Sequence, residues 1–307
     1  MDTPDFRTDA TIAAPARACR CALHSRRLFT GALLAGAAGA GWAQQPRQPA
    51  EGVRGDVGGT SRFSKLVPAE QVEQAAAQQY AQMMRQAQSQ KALAPAGHPQ
   101  VERLRAISQR IIPHADEWNS RARNWRWEVN LLGSPQLNAF CMPGGKIAFF
   151  YGILQKLQLD DDEVAAIMGH EVAHALREHA RERMGKNAAT GIGASVLSAL
   201  LGLGGAGDAL LNMGGQLLTL RFSREDESEA DIVGMELAAR AGYDPAAGMR
   251  LWEKMIAASK GAPPEFMSTH PSGPSRIADI RAKLPKVQPL YQRAAKPAQR
   301  YAPPART

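Results

Sequence analysis

The stretch Met168-Gly169-His170-Glu171-Val172-Ala173-His174 constrains this chain more than any other. A helix advances about 100° and 1.5 Å per residue, so His170 and His174 fall about 40° apart on one face and about 6 Å apart along the axis. That spacing lets both imidazoles reach one metal ion at about 2.0–2.1 Å. Glu171 lies about 60° round from His174, placed to touch a water on such an ion rather than the ion itself. Asp160, Asp161, Asp162 and Glu163 crowd the start of the same segment, where carboxylates meet the positive end of a helix dipole. His179 falls about 180° round the wheel and faces away, so it reads as a surface or capping residue. The longer H-E-x-x-H-x-x-G-x-x-H pattern is absent, because Arg177 stands at the glycine position.

The short pattern is the zincin arrangement, in which the glutamate acts as general base beside zinc. A catalytic zinc takes three protein ligands and keeps one position open, so a third ligand must come from another helix. Residues 223–245 offer Glu225, Asp226, Glu227, Glu229 and Asp231. Two readings stand. The cluster is a solvated acidic helix start, or Glu227 and Asp231 form an i, i+4 pair facing the metal. Gly234, three residues on, allows the second helix to come close. An aspartate one turn beyond a glutamate ligand can accept the other ring N–H of a bound histidine and fix its tautomer.

The rest of the chain supports one α+β domain, mostly helical. Of 307 residues, 44% are hydrophobic and 21% charged, enough for a packed core. The net charge of +8 is scattered, with no basic stripe and no nucleic-acid module. Residues 68–90 and 98–112 read as helices, the second with Val101, Leu104, Ile107, Ile111 and Ile112 on one face. Trp125, Trp127, Val129 and Leu131 alternate with polar residues as a half-buried strand. Residues 137–154 read as two strands joined at Pro143-Gly144-Gly145. Helical patterns follow at 223–241 and 245–259. Between them and the histidine helix lies an uncharged, glycine-rich stretch within 187–220. It is a buried helix pair, a mobile apolar flap or a membrane-contacting loop.

The N-terminus reads as an export signal. Ser25-Arg26-Arg27-Leu28-Phe29 precedes an Ala/Gly/Leu run that ends in a Gly41-Trp42-Ala43 cleavage site. The paired arginines resemble a bacterial twin-arginine signal. The run falls short of the roughly 20 apolar residues of a membrane span. Cleavage after Ala43 leaves Cys141 as the single cysteine, without an internal disulfide. The expected divisions are a signal peptide at 1–43, a flexible leader at 44–64, a catalytic domain at 65–285 and a disordered Pro-rich tail at 286–307.

Four motifs in order extend this reading. H-E-V-A-H-A-L-R-E-H, S-R-x-x-E-x-x-A-D-x-x-G, A-G-Y-D-P and S-T-H-P-S-G-P-S-R-I closely resemble the HtpX/CAAX-prenyl-protease family of zinc metallopeptidases. Within it, the chain looks most like the soluble periplasmic BepA/LoiP-like branch, over roughly residues 65–285. N-A-F-C-M-P-G-G-K-I is similar to the edge strand and turn of that family.

The resemblance implies a gluzincin-like fold with a small sheet beside the active-site helix. It implies one zinc per chain on His170, His174 and Glu227, with Glu171 as base and Asp231 supporting a ligand. A substrate strand would lie along Asn138, Ala139 and Phe140. His270, in the last motif, is expected to face the zinc, as a removable fourth ligand or a donor to the oxyanion. His98 and His114 read as surface residues. The expected function is a zinc endopeptidase acting on misfolded or envelope polypeptides in the periplasm. The competing reading is a chaperone-like protein that holds clients, with a latched or structural zinc.

Overall fold

The computed structural model describes residues 51–190, 217, 220–259, 265–270 and 274–305. The expected signal sequence, the start of the expected leader and nearly all of the glycine-rich stretch lie outside the described residues.

Two helices, α1 (Ala69–Ser89) and α2 (Pro99–Ile111), lead into a three-stranded sheet. Proline occupies the N-cap of α1 and the first turn of α2, where its missing N–H costs no helical bond. His98 caps α2 by accepting from the Gln100 amide at 3.2 Å. The strands are β1 (Glu128–Leu132), β2 (Ala139–Met142) and β3 (Lys146–Phe150). β3 is central, parallel to β1 and antiparallel to β2. The β2–β3 turn needs glycine: Gly144 and Gly145 have φ of 83° and 79°, and a side chain at Gly145 would strike the Trp127 ring.

After the short α3 (Tyr151–Lys156) comes α4 (Asp161–Leu176), which carries the histidines. Its acidic start is a capping box. Asp160 accepts from the Glu163 amide and Glu163 from the Asp160 amide, each at 2.8 Å. Two of these carboxylates are buried against cations: Asp161 lies 2.6 Å from Arg103 and Glu163 2.6 Å from Lys254. The helix is apolar nearly all round, as expected of one that runs through the core. Val164, Ile167, Met168, Val172 and Leu176 are fully buried.

Helix α5 (His179–Ala189) follows α4 after a turn at Glu178. Then come α6 (Arg224–Arg240), α7 (Ala247–Ala258), α8 (Glu265–Thr269) and α9 (Pro274–Arg293). Helix α6 crosses α4 at two glycines. A Cβ on Gly169 would meet the Gly234 carbonyl at 2.6 Å, and one on Gly234 would meet the His170 amide at 2.6 Å. The backbones therefore touch, and the acidic first turns of α6 lie opposite the histidines.

Both ends of the domain differ from the expected flexible leader and disordered tail. Val53 is buried, and its amide donates to Glu236 Oε2 at 2.7 Å. Helix α9 continues through Pro285 and Pro289, held by buried Val287 and Leu290. The chain beyond it lies across the start of α4. The Tyr301 amide donates to Asp161 Oδ2 at 2.8 Å, and Gln100 and Gln158 donate to the carbonyls of Ala302 and Pro304 at 3.0 and 2.8 Å. A Pro-rich segment makes no local hydrogen bonds, so its order rests on partners far away in the chain.

Candidate metal centre

Helix α4 presents His170 and His174 on one face, as the wheel requires, and α6 brings Glu227 and Asp231 to them. His270 follows α8, its amide bonded to the Phe266 carbonyl at 2.9 Å and its ring stacked on Phe266. One donor atom from each of His170, His174, Glu227 and His270 lies within 4.8 Å of the others, and all four residues are buried. His170 Nε2 is 3.1 Å from His174 Nε2 and 3.3 Å from His270 Nδ1. Glu227 Oε1 is 3.0 Å from His270 Nδ1 and 3.5 Å from His174 Nε2. Four tetrahedral ligands at about 2.0–2.1 Å from one ion stand about 3.3 Å from each other. The donor set therefore fits a single tetrahedral ion.

The surroundings hold the donors in place. His170 turns its other nitrogen to Asp231 Oδ1 at 3.0 Å, the contact expected of a ligand-supporting carboxylate. Arg276, which the sequence reading missed, grips Asp231 with two bonds of 2.7 Å and lies 2.7 Å from Glu227 Oε2. Its guanidinium stacks on the Trp252 ring at 3.7 Å. Arg276 was visible only as the arginine of S-T-H-P-S-G-P-S-R-I, since nothing local marks a charge as buried.

Electrostatics follow from this packing. Burial pushes the His170 imidazole down, but Asp231 and Glu227 outweigh it and hold the ring up at about 9. Burial raises Glu227 and Asp231, yet the histidines bring Glu227 far below the usual carboxylate range, and Arg276 lowers Asp231. His174 is pushed well below its ordinary value by burial. Glu171 moves the other way, raised by burial against the opposing pull of His270 and His170. Its Oε1 is buried with no hydrogen-bond donor, and His270 Nε2 stands 3.5 Å from it. A carboxylate in that state is a proton acceptor in waiting.

A cleft of about 170 Å³ opens from the donor set. Asn138, Ala139, Phe140 and Met142 of the β2 edge line one wall, with Glu171, His174 and His270 at its floor. Among the described residues no other strand pairs with that edge of β2. The rest of the wall is largely apolar and includes Met83, Phe150, Leu217 and Phe222. Phe222 stacks on the His174 ring with centroids 4.1 Å apart. Cys141 is free and buried, and burial pushes its thiol well up.

One placement corrects the sequence reading. His179 is buried, with Nδ1 2.9 Å from His174 Nδ1. The wheel put it on the far side because it assumed one continuous helix. The chain instead leaves α4 at Leu176 and turns at Glu178, whose φ is 60°, and the turn carries His179 back over the site. Two of the other acidic candidates of α6 are spoken for, and Glu225 is exposed. Asp226 closes a capping box with Ser223, and Glu229 pairs with Arg177.

A buried three-histidine, one-carboxylate donor set lies at the end of a strand-edged cleft, beside a glutamate whose Oε1 has no hydrogen-bond donor, an arrangement suited to a metallopeptidase centre. Residues 99–284 match Peptidase family M48, and the chain belongs to that family. It is 37% identical over 197 residues to the mitochondrial metalloendopeptidase OMA1 of Schizosaccharomyces pombe, covering 63% of this chain and 56% of that protein. It is 40% identical over 150 residues to the Arabidopsis thaliana protein of the same name, covering 49% of this chain and 30% of the relative. The beta-barrel assembly-enhancing protease of Escherichia coli O157:H7 is 28% identical over 198 residues, covering 61% and 39%. The matched region thus spans between about a third and somewhat over half of each of these relatives.

Proposed function

We propose that the chain is a zinc endopeptidase of the bacterial envelope that cuts unfolded or misfolded polypeptides. The observation that carries this is the donor set of His170, His174 and Glu227 beside Glu171, at the floor of an apolar cleft. When bound there, zinc lowers the pKa of its water toward about 7 and polarises the scissile carbonyl. Glu171 takes the proton of the attacking water and hands it to the leaving amine. Burial raises Glu171, which suits both halves of that exchange. Asp231 fixes the His170 ring, and Arg276 keeps Asp231 ionised and lies against Glu227. A substrate in extended form adds a strand to the β2 edge at Asn138, Ala139 and Phe140.

The cleft wall favours clients with exposed apolar side chains, which folded proteins bury and unfolded ones display. Arg26 and Arg27 support a periplasmic location reached by the twin-arginine route, and the motif order supports the BepA/LoiP-like branch. No helix among the described residues is long and apolar enough to cross a membrane.

His270 favours a second reading. With it, four protein donors close the set, as in structural zinc sites. We read it as a removable latch rather than a permanent ligand, because Glu171 Oε1 stands beside it without a hydrogen-bond donor. A permanent ligand would leave a client-holding protein. The test is to express Glu171→Gln as a trap in the envelope and compare captured and accumulated proteins with wild type. Uncleaved clients that accumulate only with the variant support the protease. Clients held and released alike by both forms support the holder. Replacing Arg26 and Arg27 with lysine should leave precursor in the cytoplasm, and normal export of that form would rule out the twin-arginine route.

A further inference from the structure

His179 touches His174 from behind, on the side away from the donor set. Its Nδ1 lies 2.9 Å from Nδ1 of His174, and the ring centroids are 4.9 Å apart. Both rings are buried. Two ring nitrogens at that distance share a single hydrogen. His174 turns its Nε2 toward the donor set, 3.1 Å from His170 Nε2. A nitrogen that binds a metal must offer its lone pair, so the ring hydrogen of His174 sits on Nδ1. It therefore donates to His179 Nδ1, which must be bare. The other ring nitrogen of His179, Nε2, is buried without a hydrogen-bond partner and stands 3.7 Å from Glu229 Oε2. Glu229 is itself pinned by Arg177, which also donates to the Gly58 carbonyl at 2.5 Å.

We propose that His179 is a positioning residue that sets the tautomer and ring plane of His174 and thereby strengthens metal binding. It does for His174 what Asp231 does for His170, with an imidazole nitrogen in place of a carboxylate. The inference rests on the reading that His174 binds the metal. Partners of this kind contribute about 10–100-fold in metal affinity.

The experiment follows zinc transfer from the loaded full-length mature protein to a chromophoric chelator. The proteins are wild type, His179→Asn, His179→Phe and His174→Ala, and the melting temperature of each metal-free form is recorded alongside. Asparagine places an amide oxygen near the position of Nδ1 and can accept from His174, whereas phenylalanine keeps ring volume without an acceptor. We expect His179→Phe to hold zinc about 10–100-fold more weakly and His179→Asn to stay within a few-fold of wild type, even where the two melt alike. Equal weakening in both, or none in either, overturns the proposal. If wild type and His174→Ala bind zinc equally, the donor-set reading falls and the proposal falls with it, an outcome distinct from the first. Should the phenylalanine variant not fold, the zinc-loaded wild type still decides by 15N NMR. A proton on His174 Nδ1 and a bare His179 Nδ1 support the proposal, and a protonated His179 Nδ1 overturns it.

Discussion

Gly234 of α6 presses so closely on Gly169 of α4 that a Cβ on Gly234 would stand 2.6 Å from the His170 amide. That contact sets how near Glu227 and Asp231 come to the histidines, and rigid backbone on both sides cannot yield. Gly234→Ala should therefore push the helices apart, cost about 1–3 kcal/mol as overpacking does, and weaken zinc binding. Chemical denaturation and a zinc titration check both effects. Wild-type zinc affinity in Gly234→Ala would show that the crossing does not position the ligands.

Arg276 neutralises two buried carboxylates at once. Without it, Asp231 and Glu227 keep each other's repulsion in a dry site. Arg276→Leu should destabilise the metal-free protein by about 3–5 kcal/mol, the cost of leaving a buried charge unpaired. Arg276→Lys should recover only part of this, since an ammonium cannot make the two-bonded contact with Asp231. Urea unfolding of the three metal-free proteins provides the comparison.

His270 separates two roles by the sign of one effect. As a latch, His270→Ala should keep its zinc and cleave unfolded casein faster than wild type. As an oxyanion donor, the same change should slow turnover by about 10²–10³. An unchanged rate would remove His270 from both roles.

The C-terminal segment is expected to act as a strap on α4. Removing residues 297–307 takes away the Tyr301 bond to Asp161, the Arg300 pair with Asp162 at 2.9 Å and the carbonyls that Gln100 and Gln158 reach. At about 0.5–1.5 kcal/mol for each of these contacts, the truncated protein should lose about 2–6 kcal/mol while still binding zinc. Calorimetry on the zinc-loaded forms measures it, and an unchanged melting temperature would make the strap incidental.

The legible parts of the molecule were those written in local periodicity. The His170/His174 spacing, the Glu227/Asp231 pair, Gly234 and the Pro143-Gly144-Gly145 turn each state their geometry within a few residues. His179 was misread because one left-handed residue, Glu178, redirects the chain, and no helical wheel contains a break. Arg276 and the strap were hidden for a related reason. Their partners lie far off in sequence, so burial and pairing decide their roles, and neither is encoded nearby. Val53 belongs to the same group, since a leader of small and polar residues gives no hint that Glu236 awaits its amide.

The central claim is that zinc on the His170, His174 and Glu227 donors works with Glu171 to cut peptide bonds. Its most direct measurement pairs metal content with cleavage of unfolded casein in purified wild type, Glu171→Gln and the His170→Ala, Glu227→Ala double variant. The account predicts about one zinc per chain and cleavage in wild type, the same zinc without cleavage in Glu171→Gln, and neither in the double variant. Full zinc in the double variant, or wild-type cleavage by Glu171→Gln, would contradict it.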